Sequence, residues 1–202
     1  MYFFSLLLSL ISFASAKSFL PASFSAQYEN TWQSATGSTK KENGTIEYKF
    51  PGSVKLDVKS DPQATFVTNK NTSWYYQPAF NKEEQAQVTI QKGSAHPVIK
   101  FLDSLKDGVG SSKFFASAEK GQDLVLTFNV VGEKEFSLKE VTLHGSKAFK
   151  DVNSLKDIQS IDLKDTNGKL KQLRFIELKE GVNFPASHFI INVPPKTKII
   201  KG

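Results

Sequence analysis

Apolar and polar residues alternate along much of this chain, most regularly between Gly44 and Pro78. Because successive side chains of a β-strand point to opposite faces of a sheet, a period of two predicts strands with one apolar and one charged face. Pro51-Gly52 and Asp61-Pro62 interrupt the alternation, which predicts turns. The stretch is therefore interpreted as an antiparallel meander. The apolar positions of its first two strands are Ile46, Tyr48, Phe50, Val54, Leu56 and Val58.

Segments with the same period predict further strands on both sides of this meander. The polar segment 35–43 is predicted to be a hairpin loop, residues 69–71 a turn, and residues 165–168 a tight turn. Apolar pairs on either side of Lys139 are out of phase, which predicts a β-bulge or a break of the strand near this residue. The predicted strands outside the first two comprise residues 23–32, 64–68, 73–77, 85–91, 123–131, 135–144, 158–163, 170–178 and 188–193.

The period changes to that of a helix after residue 96. Pro97 suits the first turn of a helix, where its missing N–H has no intrahelical partner to lose. Residues 112–118 are predicted to form a shorter helical turn. The apolar face of the main predicted helix consists of Val98, Phe101, Leu102 and Leu105.

About ten strands with one or two helices indicate a mainly β, α+β fold, in which one strongly curved antiparallel sheet carries the helices on one face. The predicted inner face of this sheet is rich in aromatic residues. Two interpretations stay open: a well-filled core, or a cavity that holds a lipid or another hydrophobic ligand. The aromatic inner-face positions are Tyr48, Phe50, Phe66 or Val67, Trp74, Tyr76 and Phe128.

The N-terminal segment is typical of a cleavable secretory signal. Residues 2–13 form a mainly apolar run, which is followed by Ala14-Ser15-Ala16, a small-x-small cleavage pattern. The apolar run is shorter than the roughly 20 residues that a spanning helix needs. We therefore predict a signal peptide at residues 1–16 and a single domain at residues 17–202, with an uncleaved anchor as the alternative. Secretion without cysteine favours a bacterial envelope location.

Composition restricts the function further. The net charge of +6 comes almost entirely from lysines that alternate with acidic residues, as on a solvated face, which disfavours nucleic acid as a partner. The absence of cysteine excludes disulfides and thiolate chemistry. His96, His144 and His188 lack metal-ligand spacing, and no phosphate-binding or nucleophile motif occurs. The sequence therefore predicts no enzyme activity, no metal and no cofactor.

Four segments, in order along the chain, resemble the periplasmic lipoprotein carrier family LolA. They are Phe24-Ser25-Ala26-Gln27-Tyr28, the block from Gly44 to Pro51, Ser73-Trp74-Tyr75-Tyr76-Gln77-Pro78, and a C-terminal strand that runs into Pro194-Pro195. Each motif is weak alone, and their order together with the signal peptide makes the set moderately specific.

The resemblance implies a half-open β-barrel with a helical lid over a hydrophobic cavity. It also implies a monomeric periplasmic chaperone that receives acylated lipoproteins from an inner-membrane ABC-type lipoprotein-releasing complex and delivers them to an outer-membrane receptor. Strand phase and resemblance together predict the cavity residues Ile46, Tyr48, Phe50, Val54, Leu56, Trp74, Tyr76 and Phe128, with Val98, Phe101, Leu102 and Leu105 as the lid face.

Two departures from the family pattern bear on the lid. Phe50 occupies the position of the arginine that tethers the lid in the family, and few residues precede the first strand where the family has a helix. Two alternatives to a lipoprotein carrier therefore stay open. One is an envelope lipid-binding or protein-interaction module with a closed core and no lipoprotein cargo. The other is an envelope enzyme that acts on lipids, for which no nucleophile and base are evident.

Overall fold

The computed structural model describes residues 18–34, 36–93 and 96–202, except for the side chains of Val98 and Asp107. Twelve strands and two α-helices make up most of this part of the chain. The predicted signal peptide, residues 1–16, lies outside the described residues. The elements are β1 (Ser23–Gln33), β2 (Thr39–Lys49), β3 (Ser53–Val58), β4 (Ala64–Asn69), β5 (Thr72–Gln77), β6 (Gln87–Lys92), α1 (Pro97–Ser104), β7 (Phe115–Lys120), β8 (Asp123–Phe128), α2 (Val130–Phe136), β9 (Leu138–Gly145), β10 (Ile158–Asp165), β11 (Leu170–Glu180) and β12 (Lys198–Lys201).

All twelve strands belong to one open sheet in the order β12-β6-β5-β4-β3-β2-β1-β11-β10-β9-β8-β7. Every neighbouring pair is antiparallel except β12 and β6, which are parallel. The predicted mainly β, α+β fold with one curved sheet is confirmed, although the sheet is mixed and not purely antiparallel. None of the described helices is long and apolar enough to cross a bilayer.

The sheet curves around α1. The helix contacts β2, where the Tyr48 hydroxyl donates to Asp103 Oδ1 at 2.7 Å, and β8, where the rings of Phe101 and Phe128 are 5.7 Å apart. Four strands separate β2 from β8 in the sheet. In a flat sheet the two strands would be about 24 Å apart, more than twice the width of a helix. We call the concave face that carries both helices and the main apolar core the inner face.

The first hairpin is longer than its sequence predicts. Segment 35–43 is expected to be a loop, but β2 begins at Thr39 and pairs with β1 along its whole length, with Trp32 opposite Lys40. The backbone pairing needs no apolar side chains, so the polar end of the hairpin continues past the core as regular sheet. The first strand ends at Gln33 and the second begins at Thr39, so the connection is shorter than expected.

The region between α1 and β9 differs most from the sequence prediction. The expected helical turn at 112–118 is wrong, because residues 115–120 form β7 and pair with β8. The expected strand at 123–131 ends at Phe128, and Asn129 caps α2 by accepting a hydrogen bond from the Gly132 amide at 3.0 Å. A Cβ on Gly132 would lie 2.3 Å from the Phe114 carbonyl oxygen, so this close helix contact requires glycine.

Of the bulge or break expected near Lys139, the structure shows a bulge. The expected strand at 135–144 begins only at Leu138, because residues 130–136 form α2. In the pairing of β10 with β9, Lys164 is opposite Glu140 and Asp165 is opposite Leu138, so Lys139 is the extra residue. The bulge lets Leu138 and Val141 both point into the core despite their odd spacing. The hairpin of β10 and β11 is also confirmed, with the tight turn at 165–168.

The expected strand at 188–193 is wrong. Residues Ala186–Phe189 form a turn of 3-10 helix, and the last strand is β12, beyond Pro194-Pro195. The chain crosses the outer face of the sheet between β11 and β12, and this crossover allows the parallel pairing with β6. Phe184 and Phe189 pack on Val67 in a second small apolar cluster. We call residues 182–194 the outer strap.

His144 connects three neighbouring strands on the outer face. Its Nδ1 lies 2.9 Å from Asp123 Oδ1 on β8, and its Nε2 lies 3.2 Å from Asp162 Oδ2 on β10. Partial burial lowers the pKa of His144, but hydrogen bonds and charge from the two carboxylates outweigh it, and the net shift is upward.

We expect this histidine to make the protein less stable as pH rises. The pKa of His144 in the folded state lies above its unfolded value of about 6.5. The stabilisation of the folded state by protonated His144 is therefore complete below about pH 6.5 and is lost as pH rises through the raised pKa. The measurement is urea unfolding of the wild type and His144→Gln at about pH 6 and about pH 8.5. The difference in free energy of unfolding between the wild type and His144→Gln should be smaller at the higher pH. A gap of equal size at both pH values would contradict the expectation.

Candidate functional site

An apolar cavity of about 500 Å³ lies between the inner face of the sheet and α1. Its wall combines strands from both halves of the sheet with the start of α1. Such a volume falls within the range of ligand pockets in proteins. The lining residues are Tyr28 and Asn30 of β1, Glu42 and Ile46 of β2, Val54 and Leu56 of β3, Phe66 of β4, Tyr75 of β5, His96 before α1, Ile99 and Leu102 of α1, Leu163 of β10, and Lys171 and Leu173 of β11.

The strand register builds the apolar wall. Ile46 is opposite Leu56, Leu56 is opposite Phe66, and Phe66 is opposite Tyr75. Directly opposite residues of antiparallel strands project on the same face, so these four side chains form one row across β2, β3, β4 and β5. The row forms one wall of the cavity.

Helix α1 closes the cavity with one part of its apolar face and joins the core with another. Ile99 and Leu102 line the cavity, whereas Phe101, and Leu105 in the 3-10 turn after the helix, are buried in the main core without lining it. The ring of Phe101 packs against Phe128 and, at 5.9 Å, against Phe136 of α2. The predicted lid residue Val98 lies in α1, and its side chain falls outside the described residues. The helix thus covers the cavity and is also part of the fold.

Polar contacts hold α1 over the sheet. Asp103 Oδ1 accepts the Tyr48 hydroxyl at 2.7 Å and the Gly52 amide at 3.2 Å, next to the turn between β2 and β3. The Lys106 ammonium, just after α1, lies 3.7 Å from the centroid of the Phe50 ring. Phe50 therefore contacts the segment after α1 through a cation–π interaction, with the cation on the helix side.

The predicted cavity residues separate into three groups. Ile46, Val54 and Leu56 line the cavity. Tyr48 and Phe128 are buried in the main core beside it, where Tyr48 stacks on Phe24. Phe50 is half-buried against that core, under the Lys106 ammonium.

Trp74 and Tyr76 form the third group, which the structure places on the outer face. Trp74 packs with the outer-strap cluster, and Tyr76 lies in a shallow groove beside the outer strap. The reason is the turn between β4 and β5, which has two residues and pairs Asn69 with Thr72. The expected three-residue turn shifts the register by one, and such a shift exchanges the two faces of a strand. Tyr75 is consequently the β5 side chain that reaches the cavity.

Several lining residues are missing from the sequence prediction. Tyr28 is in phase with Phe24 and Ala26, and Leu163 and Leu173 alternate within their predicted hairpin. Their periodicity assigns them to the inner face but gives no sign that the chain brings β10 and β11 next to β1. The sequence predicts Phe66 or Val67 on the inner face, and the structure places Phe66 at the cavity and Val67 in the outer cluster.

The polar groups of the cavity are few. The Tyr28 hydroxyl donates to Glu42 Oε1 at 3.0 Å, and burial together with the Glu42 charge raises the pKa of Tyr28, so the hydroxyl stays protonated. The ring of His96 packs edge-on against Phe66 at 5.8 Å. Desolvation at the cavity and the nearby charge of Lys171 lower the pKa of His96, which favours its neutral form.

The three histidines lie at separate places: His96 at the cavity, His144 on the outer face between Asp123 and Asp162, and His188 in the outer strap, with Nε2 2.7 Å from Glu47 Oε2. Within the described ranges, no group of three or more potential ligands is arranged to hold a metal ion. The fold and the site define a class: a curved-sheet protein with an apolar cavity under a short helix.

Comparisons with solved structures find proteins of similar fold at low identity. A LolA superfamily protein from Nitrosomonas europaea is 10% identical over 85% of this chain and 91% of its own, with a TM-score of 0.46. A conserved protein from Thermus thermophilus is 10% identical over 90% and 91%, with a TM-score of 0.48. A domain from Vibrio parahaemolyticus, provisionally described as an outer membrane lipoprotein-sorting protein, is 11% identical over 83% and 89%, with a TM-score of 0.43. No family model and no curated protein sequence matches the chain.

Proposed function

We propose that this protein is a non-enzymatic carrier that binds the acyl chain of a lipid or lipoprotein in the cavity under α1. The observation that carries the proposal is the cavity itself, whose walls are mainly aliphatic and aromatic side chains. A closed, well-filled core would leave no such space. Apolar walls with few polar groups suit a ligand that is mostly hydrocarbon.

The cavity has the size of one acyl chain. At about 30 Å³ for a group the size of a water molecule, 500 Å³ accommodates roughly sixteen methylenes. Each methylene that leaves water contributes about 0.8 kcal/mol, so a chain of this length gains enough to offset the cost of association. Binding one chain per protein therefore matches both the volume and the energetics.

The lid supplies a route for loading and release. Helix α1 has only eight residues, Phe101 anchors it in the core, and its polar contacts include the 2.8 Å ion pair of Lys100 with Glu135 of α2. Exposed ion pairs of this kind contribute little to stability. We propose that α1 moves as acyl chains enter and leave, while the sheet keeps its shape.

The proposal extends to location and partners. The predicted signal peptide supports a periplasmic location, and the ordered motifs shared with the LolA family support acylated lipoproteins as cargo. We propose that an inner-membrane ABC-type complex supplies the cargo and that an outer-membrane receptor accepts it. The protein would then shield acyl chains that cannot cross water unprotected.

Native mass spectrometry tests the proposal. Protein purified without detergent is measured before and after incubation with an acylated lipoprotein, and in parallel with N-phenyl-1-naphthylamine, a neutral dye that fluoresces in apolar sites. We expect one acylated ligand per chain and a saturable rise in dye fluorescence. An unliganded mass in both samples, together with no dye uptake, would contradict the proposal. A closed-core interaction protein would then be the better account.

A further inference from the structure

The polar side chains of the cavity include groups that suit an anion. Lys171 of β11 and His96 before α1 both line the cavity, next to its apolar wall. Of the described residues that line it, only Glu42 is acidic, and its carboxylate accepts the Tyr28 hydroxyl at 3.0 Å. A cation at the edge of an apolar cavity is where the headgroup of an amphiphile would lie.

The strand register adds a second cation beside Lys171. Trp32 of β1 is opposite Lys171 of β11 on one side and opposite Lys40 of β2 on the other. Directly opposite residues share a face, so the three side chains form one row on the inner face. The Lys171 ammonium is 5.9 Å from the centroid of the Trp32 ring, within the range of a cation–π contact.

This row borders the cavity. The next row along the same face contains Glu42, Asn30 and Leu173, all of which line the cavity. Lys40, Trp32 and Lys171 therefore lie at one end of the cavity, where the long β1–β2 hairpin forms its border. An amphipathic tryptophan beside lysines is typical of places where apolar chains meet polar headgroups.

Lys171 and His96 act on the same volume from two sides. One belongs to the sheet and the other precedes α1, yet the charge of Lys171 contributes to the lowered pKa of His96. An anion between them would offset the charge of Lys171 and favour protonation of His96. The other ionisable side chains that line the cavity are Glu42, Tyr28 and Tyr75.

We infer that the cavity selects amphiphiles with one acyl chain and an anionic headgroup, and that Lys171 and His96 contact this headgroup, with Lys40 adding to the positive field. The inference rests on the proposed function, because it needs an acyl chain in the cavity. A carboxylate and a phosphate share the required chemistry, since a lysine ammonium recognises either as a point charge.

The test compares three ligands with the same chain and different headgroups. Dodecanoic acid, dodecyl phosphate and dodecanol compete with bound N-phenyl-1-naphthylamine on the full chain at low salt. We expect at least one of the two anions to bind about five- to tenfold more tightly than the alcohol, as for a charge-assisted contact. Lys171→Gln should remove most of this preference. Lys150→Gln, the same charge change at an exposed site on the short 3-10 helix Phe149–Asp151, should preserve it.

A spectroscopic readout separates contact from a change in folding. We expect the pKa of His96, followed by NMR, to rise when the preferred anion binds and to stay unchanged with dodecanol. The stronger of the two anions identifies the headgroup as carboxylate or phosphate. Equal affinity for all three ligands, with Lys171→Gln indistinguishable from wild type, would overturn the inference and leave the cavity proposal intact. If none of the three ligands displaces the dye, the proposed binding of acyl chains is refuted, and the inference about the headgroup is refuted with it.

Discussion

Leu56→Glu is expected to weaken acyl-chain binding by roughly a hundredfold. Leu56 lies in the middle of the row that forms the apolar wall, between Ile46 and Phe66. An ionised carboxylate there would keep its hydration and exclude three or four methylenes of the ligand, at about 0.8 kcal/mol each. The loss should appear as a higher dissociation constant for a 12-carbon ligand in dye displacement.

Two neighbouring residues of β5 provide a matched control for this prediction. Tyr75 lines the cavity and Tyr76 lies in the groove on the outer face, so the same substitution tests the two faces of one strand. Tyr75→Glu should weaken binding in the same direction as Leu56→Glu, whereas Tyr76→Glu should leave it within about twofold of wild type, as expected for a site with no ligand contact. Equal effects of both variants would show that the substitutions disturb the fold and not the cavity.

Phe128→Ala is expected to lower the free energy of unfolding by about 3–5 kcal/mol. Phe128 is 5% exposed, and its ring centroid lies 5.7 Å from that of Phe101, 5.4 Å from that of Phe115 and 5.6 Å from that of Phe136. These rings join α1, β7, β8 and α2, so the truncation leaves a cavity where four elements meet. Against a total of about 5–15 kcal/mol for a typical protein, the loss is large. Urea unfolding measures it as a lower midpoint.

Phe80→Ala serves as the comparison for Phe128→Ala. Phe80 is 76% exposed, and its truncation should change stability by less than about 0.5 kcal/mol. The sequence prediction places Phe128 in the ligand cavity, and the experiment distinguishes that role from a structural one. An unchanged unfolding midpoint combined with weaker dye binding would assign Phe128 to the cavity and refute its structural role.

The sequence was sufficient where local chemistry decides the structure. The alternation around Gly44 defined β2 and β3, the helical spacing after Pro97 defined α1, and the phase change at Lys139 located the bulge. Each of these patterns involves residues that are close together in the sequence. The inner-face residues Ile46, Val54 and Leu56 were predicted for the same reason.

Helix α2 shows where local signals fail. The run from Leu124 to Val131 has the composition of a strand, and α2 forms because Asn129 caps it and because Phe136 packs against Phe101 and Phe114. Val130 and Val131 are exposed on its first turn. Tertiary packing outweighs the β-propensity of these valines, and the packing partners are distant in sequence.

The strand periods and the helical face determined that this protein has a mainly β fold with an apolar inner face and a short covering helix. Only the tertiary structure decided which side chains line the cavity. A turn one residue shorter than expected moved Trp74 and Tyr76 to the outer face, and the pairing of β1 with β11 brought Leu173 and Lys171 to the site. Register and strand order depend on contacts between distant segments, so a pattern within one segment can assign a face but cannot assemble a site.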